Sequence, residues 1–128
     1  MILADAGIVI AYLRGKDTRL IALADALPLA VCGVTRAEVL RGVRSPVERT
    51  DTVALLDSFF QVVTSEAIWD ASGDNLAKLR AAGISVPFPD AILATLAIAE
   101  GVELWGRDKH FAAMSGHLIG MRIYAETP

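Results

Sequence analysis

Short apolar runs alternate along the chain with longer segments in which apolar residues recur at helical spacing. The short runs predict strands at residues 1–4, 29–33, 59–63, 102–105 and 120–124. The longer segments predict helices at residues 7–14, 18–27, 35–44, 46–58, 65–82 and 91–99. Strands that alternate with helices are joined by right-handed crossovers, which give a largely parallel sheet with helices on both faces. We therefore expect an α/β protein with a single domain, residues 1–128, folded as a three-layer α/β/α sandwich around a mostly parallel central sheet.

Polar residues at the starts of the predicted helices indicate where those helices begin. Thr35 and Glu38 have the spacing of a capping box, in which the two side chains accept hydrogen bonds from the first turn. Ser45 and Glu48 repeat this spacing, and Pro46 stands at the first helical position. An acid near a helix start can therefore have a purely structural role.

Four acids lie at the ends of predicted strands or in the first turns of predicted helices. Asp5 and Asp108 lie just beyond strands, whereas Glu38 and Asp90 lie near helix starts. Taken singly, each acid could cap its helix or complement the helix dipole. Taken together they have a second explanation, because the carboxyl ends of parallel strands meet at one edge of the sheet, where α/β proteins keep their sites.

Carboxylates gathered at one edge require a positive charge, because several of them cannot all stay ionised side by side. The natural counter-charge is a hard cation with oxygen ligands, Mg²⁺ or Mn²⁺. Such a site activates a water and stabilises the leaving oxygen of a phosphodiester, as metal-dependent nucleases do. The four acids therefore predict a metal site that hydrolyses phosphodiesters.

Five motifs, taken in chain order, resemble those of a known family. They are Ile2-Leu3-Ala4-Asp5, Thr35-Arg36-Ala37-Glu38-Val39-Leu40-Arg41-Gly42, Leu79-Arg80-Ala81-Ala82-Gly83, Pro87-Phe88-Pro89-Asp90-Ala91-Ile92-Leu93-Ala94 and Arg107-Asp108-Lys109-His110-Phe111. Their order and spacing are similar to those of the PIN-domain family, and within it to the VapC-type toxins. The resemblance covers nearly the whole chain.

The resemblance implies a Mg²⁺-dependent endoribonuclease, the toxin of a type II toxin–antitoxin system, that cleaves RNA with a metal-activated water. It also implies a homodimer held inactive by a small VapB-like antitoxin. On the matching positions, the catalytic acids are Asp5, Glu38, Asp90 and Asp108. Asp5, Asp90 and Asp108 would hold Mg²⁺ or Mn²⁺ directly or through water. Glu38 would be a further ligand or would position the attacking water.

The chain departs from the family pattern at two places where hydroxyl residues are common. Ala6 and Gly7 follow the first acid, and Gly106 stands two residues before the last one. Hydroxyls at these positions would orient the acids or their waters from outside the ligand set. The departures leave all four acids in place.

The composition predicts a protein that binds partner proteins and does not span a membrane. Apolar residues make up 54% of the chain and the mean hydropathy is +0.48. No apolar run reaches the roughly 18–20 residues of a membrane span, and the pattern of a secretory signal is absent. We attribute the apolar surplus to buried strands and to surface that contacts partners. The single cysteine, Cys32, cannot form an internal disulfide, which fits a reducing, cytoplasmic compartment.

A net charge of -3 and a pI near 5.3 argue against a uniformly basic nucleic-acid binder. Basic residues nevertheless occur near the acids along the chain, namely Arg14, Lys16, Arg36, Arg41, Arg44, Arg49, Arg107 and Lys109. They could contact RNA phosphates, or they could form a solvated face that meets an acidic partner. We interpret His110 as an ordinary polar helix residue rather than a ligand, and Trp69 and Trp105 as core residues.

Two other functions are open to such a sequence. The same fold could be an RNA- or protein-binding module with weakened nuclease activity, since the hydroxyls are missing. A phospho-receiver signalling domain is a second possibility, because it also places Mg²⁺ in an acidic pocket of a small α/β protein. That class requires an acceptor aspartate at the end of the third strand, where this chain has the run Phe60-Gln61-Val62-Val63-Thr64.

Overall fold

A computed structural model of the chain describes residues 1–126, which form four strands and seven helices. In chain order these are β1 (Ile2–Ala4), α1 (Ala6–Arg14), α2 (Thr18–Ala26), β2 (Leu29–Cys32), α3 (Gly33–Arg41), α4 (Pro46–Ser58), β3 (Phe60–Val62), α5 (Glu66–Ala81), α6 (Phe88–Glu100), β4 (Glu103–Trp105) and α7 (Lys109–Ser115). Within the described residues, no helix is both long and apolar enough to cross a membrane.

The sheet has the order β3-β2-β1-β4 and all of its pairings are parallel. Successive side chains of a strand point to opposite faces, so each strand contributes to two separate cores. In β1, Leu3 packs with α5, α6 and α7, whereas Ile2 and Ala4 pack with α1 to α4. In β4, Leu104 and Trp105 divide in the same way. Helices therefore cover both faces, and the predicted three-layer α/β/α sandwich is confirmed.

The fifth predicted strand, residues 120–124, is wrong in its extent. Within residues 1–126 this segment makes one bridge, between Ile123 and Leu104. The Leu104 N–H donates to the Arg122 carbonyl at 2.9 Å, and the Tyr124 N–H donates to the Leu104 carbonyl at 2.9 Å. Gly120, the first residue of the predicted strand, has a φ of 87°, a turn conformation that keeps the start of the segment out of a ladder.

The start of α3 also differs from the prediction. The helix begins at Gly33 rather than at Thr35, and Thr35 does not cap it. The buried Thr35 hydroxyl instead donates to the carbonyl of Ala4, at 2.9 Å, and so joins α3 to the end of β1. The capping box predicted for Thr35 and Glu38 is therefore wrong, and the Glu38 side chain remains available for another role.

The second predicted cap and one of the two tryptophans agree with the sequence analysis. The Ser45 hydroxyl accepts from the Glu48 N–H at 3.1 Å and begins α4. Trp105 is fully buried beneath Tyr124, with their ring centroids 5.0 Å apart. Trp69 is 41% exposed, so its assignment to the core is wrong. It borders a surface groove that is also lined by Val62, at the end of β3.

Candidate metal centre

Asp5 lies at the carboxyl end of the central strand. Its N–H donates to the Trp105 carbonyl at 2.9 Å, which continues the β1–β4 ladder one residue beyond Ala4. The chain then turns into α1, whose first residue is Ala6. The predicted strand-to-helix turn is therefore confirmed, and it leaves the Asp5 carboxylate at the sheet edge.

Asp90 and Asp108 come from different elements and meet at this edge. Asp90 lies in the first turn of α6, and its side chain is only 13% exposed. Asp108 precedes α7 and accepts a hydrogen bond from the His110 N–H at 2.9 Å. Asp108 therefore caps α7, as one of its two predicted roles required, and the same residue has an oxygen within 4.8 Å of an Asp90 oxygen.

A third group, the imidazole of His110, lies between these two carboxylates. Its Nδ1 is 2.7 Å from Asp108 Oδ1 and 3.2 Å from Asp90 Oδ2. One potential ligand atom from each of the three residues lies within 4.8 Å of the other two. Asp5 and Glu38 stand outside this tight group, so the four carboxylates are less evenly clustered than the sequence suggested.

The pKa of Asp5 nevertheless depends on the charges of the other acids. Burial raises the pKa of Asp5 from its ordinary value of 3.8 to about 6, against the lowering effect of the Ala6 N–H. The negative charges of Asp90 and Glu38 contribute to this rise in the pKa of Asp5. The pKa of Asp90 is raised as well, first by burial and then by the charge of Asp108, although His110 opposes the shift. This pattern is typical of acids that share one site.

Two polar atoms at this edge are sealed from solvent without a hydrogen-bond partner among residues 1–126. They are Oε1 of Glu38 and Nδ1 of His110, whose contacts with the acids lack hydrogen-bond geometry. A buried carboxylate oxygen without a partner is energetically costly. A divalent cation would satisfy it and would offset the mutual repulsion of the acids. The oxygen-rich donor set therefore fits a hard divalent cation.

The residues around the site account for one departure from the family pattern. A side chain at Gly106 would overlap the ring of Phe111, which is fully buried in the core. Position 106 therefore has no side chain because the Phe111 ring of α7 fills the space beside the β4–α7 turn. Gly7 is different, since an added Cβ there would lie 3.4 Å from Asp5 Oδ2, in ordinary contact.

Two of the basic residues predicted to contact phosphates are paired with acids of the chain itself. Arg36 binds Asp57 at 2.8 Å. Arg107 binds Asp17 at 2.9 Å and Glu126 at 2.8 Å, so it ties the C-terminal segment to the start of α2. Among the other predicted basic residues, Arg41, Arg44, Arg49 and Lys109 are exposed, and Lys109 directly follows Asp108.

His110 is the member of the site that the sequence analysis did not select. The single available signal was its position two residues after Asp108, in the first turn of α7. A helical residue so near its own cap can turn its ring back onto the capping acid. Whether it would also reach Asp90 depended on the packing of α7 against α6, which the sequence did not reveal.

The fold and the acidic sheet edge are accompanied by sequence similarity to a known protein family. A model of the PIN domain matches residues 2–116. The chain belongs to the PIN-domain family.

Two proteins of Mycobacterium tuberculosis that are similar to this chain are named as VapC ribonucleases. Ribonuclease VapC10 is 32% identical over 108 residues, which cover 81% of this chain and 80% of that protein. Ribonuclease VapC4 is 33% identical over 84 residues, which cover 64% of this chain and 65% of that protein. Among solved structures, VapBC2 from Rickettsia felis, bound to a DNA fragment from its promoter, aligns with a TM-score of 0.81. That alignment covers 97% of this chain and 98% of the other at 16% identity, which establishes similarity of fold.

Proposed function

We propose that this protein is a metal-dependent endoribonuclease and the toxin of a type II toxin–antitoxin system. The observation that carries the proposal is the meeting of Asp90 and Asp108 at the sheet edge, with Asp5 and Glu38 close enough to perturb the acids. The ribonuclease names of its relatives support RNA as the substrate. Metal-dependent phosphodiester hydrolysis is the chemistry that such an acid cluster performs.

Asp5, Asp90 and Asp108 would hold Mg²⁺ or Mn²⁺ directly or through water. When bound, the cation supplies Lewis acidity at the phosphodiester and lowers the pKa of a water. Glu38 has one oxygen sealed from solvent and without a hydrogen-bond partner in residues 1–126, so it is free to serve as a further ligand or to hold the attacking water. The α7 N–H bond to Asp108 fixes one ligand before the substrate arrives.

Exposed cations beside the site would align the RNA backbone. Arg41, Arg44 and Arg49 lie at the end of α3 and in α4, and Lys109 directly follows Asp108. Contacts of this kind position a nucleic acid but do not specify its sequence. Arg36 and Arg107 would contribute less, because both already bind carboxylates.

A groove beside α1 supports the proposed antitoxin partner. It encloses about 480 Å³ and is lined from α1 by Ile10, Leu13 and Arg14. Leu13 is 43% exposed, whereas Ile8 and Val9 on the same helix are buried against the sheet. This division agrees with a first helix that packs on the sheet with one side and meets a partner with the other. Solved neighbours of this fold include VapBC complexes, in which a toxin is held with its antitoxin.

A homodimer is the second proposed assembly. Phe60, Val63 and Trp69 are exposed around β3, which is an edge strand of the sheet. An unpaired strand edge beside apolar side chains is a surface that soluble proteins usually cover.

A binding module with weakened nuclease activity is the alternative that the sequence favours next. Its basis is the absence of hydroxyls at Ala6, Gly7 and Gly106. A phospho-receiver is not supported, because membership of the PIN family accounts for the fold and the end of β3 presents Val62.

The proposal is tested with purified protein freed of any partner. We expect single-stranded RNA to be cleaved in Mg²⁺ and left intact in EDTA, with activity restored when Mg²⁺ is added back. Products should carry 5′-phosphate and 3′-hydroxyl ends. RNA that is bound but left uncut in Mg²⁺ and in Mn²⁺ would favour the binding module, and cleavage in EDTA would exclude the metal mechanism.

A further inference from the structure

The position of His110 suggests a role that the acids alone do not provide. Its Nδ1 is nearer to Asp108 than to Asp90 and lies within 3.2 Å of both. The same nitrogen is sealed from solvent and makes no hydrogen bond with the described residues, although 28% of the side chain is exposed. We infer that His110 is a nitrogen ligand of the divalent cation, alongside Asp90 and Asp108. The inference rests on the proposed metal-dependent function and deepens it.

The spacing of the three donor atoms fits a shared cation. Mg²⁺ ligands lie at about 2.1 Å, so adjacent ligands at a right angle are about 3 Å apart. Histidine nitrogen binds first-row metals at a similar distance of about 2.0–2.1 Å, shown best for zinc. The distances of Nδ1 to the two carboxylate oxygens, 2.7 Å and 3.2 Å, lie on either side of that separation.

A histidine with only a structural role would be expected to make different side-chain contacts. His110 already orients Asp108 through its backbone N–H, so the ring is not needed for that purpose. A ring that served only as a hydrogen-bond donor would direct Nδ1 at a single carboxylate, whereas this nitrogen lies within 3.2 Å of oxygens from both Asp90 and Asp108. An imidazole nitrogen that faces oxygens of two carboxylates at once has the arrangement of a ligand that shares a cation with them.

A nitrogen ligand changes which metal the site prefers. Mg²⁺ is a hard cation that is bound by oxygen, whereas first-row transition ions also accept imidazole. The site formed by Asp90, Asp108 and His110 should therefore bind Mn²⁺ more tightly than Mg²⁺. Mg²⁺ would still bind through the carboxylates and waters.

The test is pulsed electron paramagnetic resonance of the full chain loaded with Mn²⁺. A directly bound imidazole produces ¹⁴N modulation of the Mn²⁺ echo, which changes when histidine is labelled with ¹⁵N. We expect this modulation in the parent protein and in His117→Asn, a variant of the other histidine in the chain. We expect it to disappear in His110→Asn, together with a loss of Mn²⁺ affinity of about tenfold or more. Mg²⁺ affinity should fall less, as measured by isothermal titration calorimetry.

The possible results separate this inference from the function on which it rests. If Mn²⁺ binds the parent with no histidine modulation, and Asp90→Asn abolishes that binding, His110 is not a ligand and the proposed metal site stands. If modulation persists in His110→Asn, the nitrogen belongs to another residue and the assignment is overturned. If the parent binds neither ion at millimolar concentration, both the inference and the proposed function fail.

Discussion

At the scale of single residues, Gly106 shows how packing can exclude a side chain that would suit the chemistry. The edge of the Phe111 ring occupies the space of a Cβ at this position. Gly106→Ser should therefore destabilise the protein by about 1–3 kcal/mol through overpacking. Urea denaturation measures this loss, and Phe111→Leu in the same chain should recover part of it.

Gly116→Ser is the matched control for this substitution, because an added Cβ there meets nothing within 4 Å and the residue has a φ of -77°. Its free energy of unfolding should remain close to that of the parent. Equal stability of Gly106→Ser and the parent would show that α7 moves freely, and the explanation for the missing hydroxyl would then be wrong.

Asp5 gives the metal-free protein a defined dependence on pH. Its folded pKa of about 6 lies above its ordinary value of 3.8, so the folded state binds more protons between these two values. Stability should therefore fall as pH rises from about 4 to 6, by an amount on the order of 2–3 kcal/mol at most, and then level off. Denaturation of the EDTA-treated protein across this range measures the effect.

Asp5→Asn should flatten most of this dependence and should make the metal-free protein more stable near pH 7. A smaller slope should remain, because the pKa of Asp90 is also raised. Glu100→Gln, at the exposed far end of α6, should follow the parent. Mg²⁺ should restore stability to the parent at neutral pH, since a ligand that binds only the folded state stabilises it. Because the lowered pKa values of Asp17 and Glu126 make contributions of the opposite sign, the test is the difference between the parent and Asp5→Asn, and curves of equal slope for these two proteins would contradict the assignment.

At the scale of elements, the bond from Thr35 to the Ala4 carbonyl fixes α3 relative to β1. Thr35→Val should cost about 1–3 kcal/mol, because a buried carbonyl loses its partner. It should also lower RNA cleavage, since this bond joins α3, which carries Glu38, to the strand that leads into Asp5. Thr35→Ser keeps the hydroxyl and should retain most stability and activity. If the two variants behaved alike in both assays, the hydroxyl would have no positioning role.

The same threonine shows why element boundaries were harder to predict than elements. The alternation of apolar runs and helical spacing predicted all four strands and the helices through α6, because burial on two faces leaves a direct pattern in the sequence. The local spacing of Thr35 and Glu38 predicted a cap, but Thr35 bonds to a residue 31 positions away. A contact of that kind leaves no local signal.

For the candidate site, as for the elements, the sequence predicted the components but not their exact arrangement. Acids at strand ends and helix starts converge because the topology is parallel, and topology follows from element order. The particular grouping of Asp90, Asp108 and His110 depends on how α7 packs on α6. Side-chain directions of this kind are set by tertiary packing, so the sequence favoured an even quartet of acids and omitted the histidine.

At the scale of the whole molecule, the groove beside α1 should control inhibition rather than catalysis. Leu13→Glu places a charge at an exposed apolar position in the groove. We expect weaker binding of the cognate antitoxin and unchanged cleavage by the free protein, measured by titration of the antitoxin into an RNA assay. Ile119→Glu, at a more exposed apolar residue outside the groove, should leave inhibition intact. Inhibition that was insensitive to Leu13→Glu would place the antitoxin elsewhere.

If the antitoxin also supplies a basic side chain to the acids, its inhibition should weaken as Mg²⁺ rises. The cation and the side chain would then compete for the same carboxylates. Inhibition independent of Mg²⁺ would exclude this competition but would be consistent with an antitoxin that blocks RNA from the groove.

We propose that the acids at the sheet edge hold a divalent cation needed to cleave RNA. The most direct test is RNA cleavage by the parent, Asp90→Asn and Glu100→Gln across a Mg²⁺ titration. Both substitutions remove one charge from α6, and about 15 Å of helix separates the two positions. We predict that Asp90→Asn keeps the fold, judged by circular dichroism, and loses at least about a hundredfold in cleavage rate. Glu100→Gln should match the parent, and a folded Asp90→Asn that cleaves RNA at the parental rate would contradict the account.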